Sequence, residues 1–287
     1  MKKTLTKLLY VGVCAPFIFV ACTAKTPSQS ENSTPPQYVE LPNESPNEPP
    51  SIPPATDATE NLEYWDLSDV DVSQIAQDKK LVSFSFDDAP GKTLENILAV
   101  FATFNENNPD CIATATLFCN GQLIHESSSR TLSMATLLGW ELGNHTYSHC
   151  DLALLPDELL EGEIEKTQAL LQKVDGKARH LFRAPYGRIT EEAKAAANAP
   201  VFNWTIDTLD WTGVSAEDIY NAVMTRVYPG AIVLMHDGYA ETVRALKRLL
   251  PDLKSAGYQV TGISQMAKAH NCKLKNGSEY IRCRPQN

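Results

Sequence analysis

Two adjacent carboxylates, Asp87 and Asp88, end an apolar run from Leu81 to Phe86 and are followed by Ala89, Pro90 and Gly91. Pro and Gly close a strand, and like charges side by side repel unless a cation or partner lies between them. Taken alone, the pair reads more readily as an acidic turn capping the next helix. His145 and His149 stand four apart in His-Thr-Tyr-Ser-His. If that segment turns helically they share a face and can share an ion. Two imidazoles and one carboxylate make a catalytic zinc-type ligand set with positions left for water. Arg183, in Arg-Ala-Pro-Tyr-Gly-Arg, is placed to clamp a carboxylate bidentately and hold it ionised. Two more stretches carry reactive types, Asp207-Thr208-Leu209-Asp210-Trp211 and Leu234-Met235-His236-Asp237. His236 is a candidate general acid, though a lone histidine after a buried strand is as readily a satisfied core residue.

The elements that must position these residues alternate. Residues 81–86, 111–118, 141–144, 180–183, 201–206, 231–235 and 258–261 read as strands. Residues 93–106, 131–140, 156–174, 190–199, 215–228, 241–255 and 263–269 carry helical spacing. Leu94, Ile97, Leu98, Phe101 and Phe104 line one face of the first helix. Thr190 and the pair Ser215/Asp218 are capping signals. Strand–helix alternation predicts an α/β fold with a parallel sheet, and its length favours a distorted, incomplete (β/α)7-type barrel over an open doubly wound sheet. No Gly-x-Gly-x-x-Gly follows a strand, which counts against a dinucleotide fold. Reactive groups of such barrels sit at the C-terminal ends of strands, and each stretch above follows a strand.

In order, the five stretches are Phe-Asp-Asp, His-x-x-x-His, Arg-x-Pro-Tyr, Asp-x-x-Asp-Trp and Leu-x-His. Together they resemble the polysaccharide deacetylase family with its NodB-like domain, carbohydrate esterase family four, over about residues 80–265. The resemblance implies a role for each matching residue. Asp87 is the general base, and Asp88, His145 and His149 hold one divalent metal, with zinc expected and cobalt, nickel, manganese or iron also compatible. Arg183 orients Asp87. The Tyr186 N–H helps stabilise the oxyanion. Asp210 tunes His236, the general acid, while Trp211 and Leu234 wall the acetyl-methyl pocket. Ala89 stands where the family usually has Gly, and Ser85 where it has Thr. Ala tolerates fewer backbone angles, so an altered turn after Asp88 is expected.

Residues 1–22 read as a secretion signal. Lys2, Lys3 and Lys7 precede an apolar run, and Phe19-Val20-Ala21-Cys22 resembles a lipoprotein cleavage box with Cys22 as the lipidated residue. Plain signal cleavage is the alternative, and the expected location is outside the cell membrane, tethered or secreted. Residues 23–60 are rich in Pro, Ser and Glu and read as a disordered tether. The catalytic domain is expected over 61–270, followed by a Cys-containing extension over 271–287. The net charge of −10 and the lack of a basic patch exclude a nucleic-acid partner. The expected partner is an acetylated polysaccharide, the membrane is met only through Cys22, and a monomer is expected. Of the seven cysteines, Cys111, Cys119, Cys150, Cys272 and Cys283 lie in the folded region. Cys272 and Cys283 look like the ends of a small clamped hairpin, and the other pairings stay open. Peptidoglycan or chitin-type N-acetylglucosamine is the first substrate class and acetylxylan its rival, since the motifs do not separate amide from ester. A non-catalytic glycan-binding lipoprotein and a metal peptidase are the other readings, the latter weakened by the lack of His-Glu-x-x-His.

Overall fold

The computed structural model describes residues 64–285. The expected signal (1–22), the Cys22 anchor and the tether (23–60) lie outside the described residues. The chain forms β1 (Lys80–Ala89), α1 (Leu94–Asn107), β2 (Thr116–Cys119), α2 (Glu126–Leu137), β3 (Glu141–Asn144), α3 (Asp157–Asp175), β4 (Leu181–Phe182), α4 (Glu191–Ala197), β5 (Val201–Phe202), β6 (Ile206–Asp207), α5 (Ala216–Met224), β7 (Ile232–His236), α6 (Ala240–Ser255), β8 (Tyr258–Thr261), α7 (Ile263–Ala269) and β9 (Glu279–Tyr280).

The strands pair in parallel in the order β6-β7-β1-β2-β3-β4-β5-β9, and β8 lies on the first half of β1. β1 is the hub, touching β2, β7 and β8. Its residues Leu81–Asp87 are all buried, as expected for a parallel strand covered on both faces. The expected α/β barrel is therefore present, with nine strands among the described residues rather than seven. The extra strands have local causes. The single strand expected over 201–206 breaks into β5, which pairs with β4, and β6, which pairs with β7, so one segment carries the chain from one side of the curled sheet to the other. The extension after α7 adds β9 beside β5.

Several boundaries also moved. Of the strand expected over 111–118 only Thr116–Cys119 pairs as a strand. The helix expected from residue 131 starts at Glu126, because Ser128 Oγ accepts from the His125 N–H at 2.8 Å and sets its first turn. Trp140 lies beyond that helix and packs on Phe101, ring centroids 4.6 Å apart. The anticipated caps formed as expected: Thr190 Oγ1 accepts from Ala193 N, and Ser215 and Asp218 make a reciprocal box. The five apolar residues of α1 are the five it buries.

Candidate active site

The site is built at the C-terminal ends of β1, β3, β4, β6 and β7. Alternation along a strand puts Ser85 and Asp87 on one face of β1 and Leu234 and His236 on one face of β7. The register pairs Ser85 with Leu234 and Asp87 with His236. Asp88 leaves that alternation through a left-handed backbone, φ 62°. Ala89 is not left-handed, so the turn needs no glycine there and its methyl is simply buried. The special backbone angle of this turn falls on Asp88. Thr146, His149, Tyr186 and Leu209 share this uncommon conformation. Such outliers gather where function outweighs local strain.

One oxygen of Asp88 and one nitrogen each of His145 and His149 lie within 4.8 Å of one another. Oδ1 of Asp88 stands 3.4 Å from His149 Nε2, and Oδ2 of Asp87 stands 3.6 Å from His145 Nε2. His145 Nδ1 is 2.7 Å from the Arg183 carbonyl. A carbonyl only accepts, so Nδ1 carries the hydrogen and Nε2 keeps its lone pair for a ligand. Burial pushes the His145 pKa down, which favours that neutral form. The histidines do not share a helical face as expected. The segment bends at Thr146 instead, and Glu163 of α3 pins the bend by accepting from the N–H groups of Tyr147 and Ser148 at 3.1 and 2.8 Å. Nitrogen and oxygen donors in this set suit a borderline divalent ion such as zinc. Asn120 donates to Asp88 Oδ1 at 2.9 Å, while its own Oδ1 is buried without a hydrogen-bond partner.

Arg183 is fully buried. The bidentate clamp is not formed: only Nη1 reaches Asp87, at 2.7 Å, and it also donates to Ser85 Oγ at 2.8 Å. The rest of the fork goes to the Phe202 carbonyl at 2.7 Å and the Asn203 carbonyl at 3.2 Å, with the plane over Phe118. Four hydrogen bonds to four acceptors hold the guanidinium rigidly, which is why one contact is enough. Burial alone would push the Asp87 carboxyl up. The charge of Arg183, backed by that of His236, outweighs burial and holds it below the usual carboxylate range.

His236 Nδ1 and backbone N–H both donate to Asp210, at 2.7 and 2.8 Å, and Thr242 Oγ1 completes that carboxylate at 2.7 Å. Burial pushes the His236 pKa down, but the Asp210 hydrogen bond and the charges of Asp87, Asp210 and Asp88 turn the net shift upward. Tyr186 sits in a tight turn, its ring against His149 at 4.9 Å, and its N–H has no protein acceptor among the described residues. Leu234 is buried, whereas Trp211 is 54% exposed beside Asp210.

Sequence reasoning missed several supporting residues. Asp237 accepts from Gly91 N at 2.5 Å, Thr93 N at 3.0 Å and Thr93 Oγ1 at 2.7 Å. It thereby caps α1, the task first suggested for the Asp87–Asp88 pair. A Cβ at Gly91 would meet the Asp237 carboxylate, so glycine is required there. Adjacency to His236 was the available signal for Asp237. Asn120 ends β2 and had the same positional signal. Glu163 and Thr242 lie inside helices and had none.

This layout defines an α/β-barrel hydrolase with a candidate metal centre at the rim of a parallel sheet. The polysaccharide deacetylase family model matches residues 74–202. That span holds the Asp pair, both histidines and Arg183, while Asp210, Trp211, Leu234 and His236 lie beyond it and are added by the structure. The chain is 32% identical over 195 residues to a peptidoglycan-N-acetylglucosamine deacetylase of Bacillus cereus, covering 66% of this chain and 68% of that protein. It is 30% identical to a chitooligosaccharide deacetylase of Azorhizobium caulinodans, covering 65% of this chain and 94% of that protein. A family 4 acetyl xylan esterase from Clostridium thermocellum, solved with a cobalt ion, superposes with a TM-score of 0.65 at 26% identity, covering 71% of this chain and 98% of that one. The chain spans less than half the length of several other curated relatives. The chain belongs to the polysaccharide deacetylase family.

Proposed function

We propose that this chain is a metal-dependent hydrolase that removes N-acetyl groups from N-acetylglucosamine residues of an extracellular glycan, with peptidoglycan preferred over chitin-type chains. The observation that carries this reading is the pairing of two oppositely tuned groups on adjacent strands, Asp87 held by Arg183 and His236 held by Asp210, next to the Asp88–His145–His149 cluster.

Asp88, His145 and His149 would hold the ion, zinc in our reading, which supplies Lewis-acid polarisation of a carbonyl and of water. Asp87, ionised through Arg183, takes the proton of the attacking water. The Tyr186 N–H lies open to an oxyanion. His236, kept protonated by Asp210, donates to the departing amine. Leu234 and Trp211 form the apolar wall against the acetyl methyl. With base, acid and ligand set all present, a non-catalytic glycan-binding role is disfavoured.

A wall substrate also fits export through residues 1–22 and lipidation at Cys22 with 23–60 as tether, the chain acting as a monomer. The relatives named for peptidoglycan support the wall assignment. The structural likeness to an acetyl xylan esterase supports a second reading, O-deacetylation of xylan, because the same groups attack esters. Acetate release is to be measured from peptidoglycan, chitooligosaccharides and acetylxylan, with and without chelator. Chelator-sensitive release from the first two is expected, and release from acetylxylan alone would select the esterase.

A further inference from the structure

The extension after α7 carries a second chemistry. Cys272 and Cys283 belong to one small apolar cluster with Met266, Leu274 and Phe202. Cys283 is held on two sides: its N–H donates to Gly230 O at 3.0 Å and its carbonyl accepts from His270 Nδ1 at 2.6 Å. A Cβ at Gly230 would collide with that same carbonyl, so the two backbones are in direct contact. Cys272 donates its N–H to Ala267 O at 2.8 Å, and its sulfur reaches the carbonyl of Arg284, the neighbour of Cys283, at 3.5 Å. Both are free thiols on neighbouring backbone, Cys272 partly buried and Cys283 buried. Cys111 and Cys119 are buried elsewhere, against the Tyr258 and Leu117 carbonyls.

We propose that Cys272 and Cys283 are an oxidation site, forming an intrachain disulfide that clamps the extension to the barrel behind Arg183. The clamp acts through β9. Glu279 and Tyr280 pair with Val201 and Phe202, and Asn203 N donates to Tyr280 O at 2.8 Å. The carbonyls of Phe202 and Asn203 are the two backbone acceptors of Arg183. A fixed extension therefore fixes the backbone that aims Arg183 at Asp87.

Cys272 is the more exposed of the two and Cys283 is buried, and the neighbouring thiol holds Cys272 below its usual value while pushing Cys283 up, so Cys272 is the attacking thiolate. It attacks one sulfur of a small-molecule disulfide such as oxidised glutathione, forming a mixed disulfide and releasing one thiolate. Cys283 then loses its proton and its sulfur attacks Cys272 Sγ, expelling the second thiolate. Two protein thiols are oxidised and one glutathione disulfide is reduced to two thiols.

The test uses the full chain, incubated with oxidised glutathione, alkylated under denaturing conditions and mapped without reduction. A single link joining the Cys272 and Cys283 peptides is expected, with Cys111, Cys119 and Cys150 alkylated. A phosphine reductant should then lower the melting temperature by about 5–10 °C. Cys272→Ser, at the more exposed position, should lose both effects while still folding. Full alkylation of both thiols after oxidation, or a link to another cysteine, overturns the proposed bond. A melting temperature that reduction leaves unchanged overturns the clamp. Neither readout involves acetate release, so the outcome is independent of the deacetylase reading.

Discussion

Asp87 and His236 are register partners on adjacent parallel strands, and the Asp237 N–H seals the pair at 2.9 Å on the Asp87 carbonyl. The two side chains share a rim but not a supporting partner. Arg183 stands behind one and Asp210 behind the other. A cation drives Asp87 down and an anion drives His236 up. Neighbouring groups pushed apart in this way can be ionised base and protonated acid at one pH.

Asp87→Asn keeps the shape and removes the proton acceptor. We expect acetate release to fall roughly 10²–10⁴-fold while bound metal, measured by elemental analysis, stays at the parent level. Undiminished turnover in this variant would sink the base assignment.

The pH profile should follow the signs of the two shifts. In the proposed mechanism Asp87 acts ionised and His236 protonated. Activity should therefore rise through an acid limb set below the ordinary carboxylate range and fall through a basic limb set above the ordinary imidazole range. Asp210→Asn removes the chief upward influence on His236, so the basic limb of kcat/KM should move to lower pH and the acid limb should stay. An unmoved basic limb would show that another group titrates there.

Removing the metal with a chelator should abolish turnover, and added zinc should restore it. Asn120 touches Asp88 without being a proposed ligand. Asn120→Ala is expected to weaken metal affinity by about tenfold or more, read by competition with a chromogenic chelator.

Arg183→Met leaves the Asp87 carboxylate buried without its cation. The cost is about 3–5 kcal/mol of stability at neutral pH, measurable by denaturant unfolding. Asp87→Asn in the same background should recover part of that loss, because it removes the stranded charge. An additive double variant would contradict the coupling.

Asp237→Ala removes the cap of α1 and the brace on Gly91. A loss of about 1–3 kcal/mol is expected, with kcat lowered because Asp88 sits three residues upstream. A thermal melt and steady-state kinetics on one preparation separate the two effects.

Much of this protein was written locally. Alternating apolar runs and helical spacing fixed the α/β class, and Asp87, Asp88, His145, His149, Arg183, Asp210 and His236 could each be read at a strand end. Those signals are short-range: a few residues of one chemical type directly after an apolar strand. What tertiary structure alone decided depends on contacts between distant segments. The split of residues 201–207 into β5 and β6 follows from which neighbours they meet, β4 and β9 or β7, not from their own apolar content. Arg183 makes one contact to Asp87 rather than two because Ser85, Phe202 and Asn203 claim its other donors. Asp237 caps α1 from 144 residues away, a partnership no local pattern encodes. The chain's own letters named the candidate groups, and the closing of the sheet gave each of them its partner.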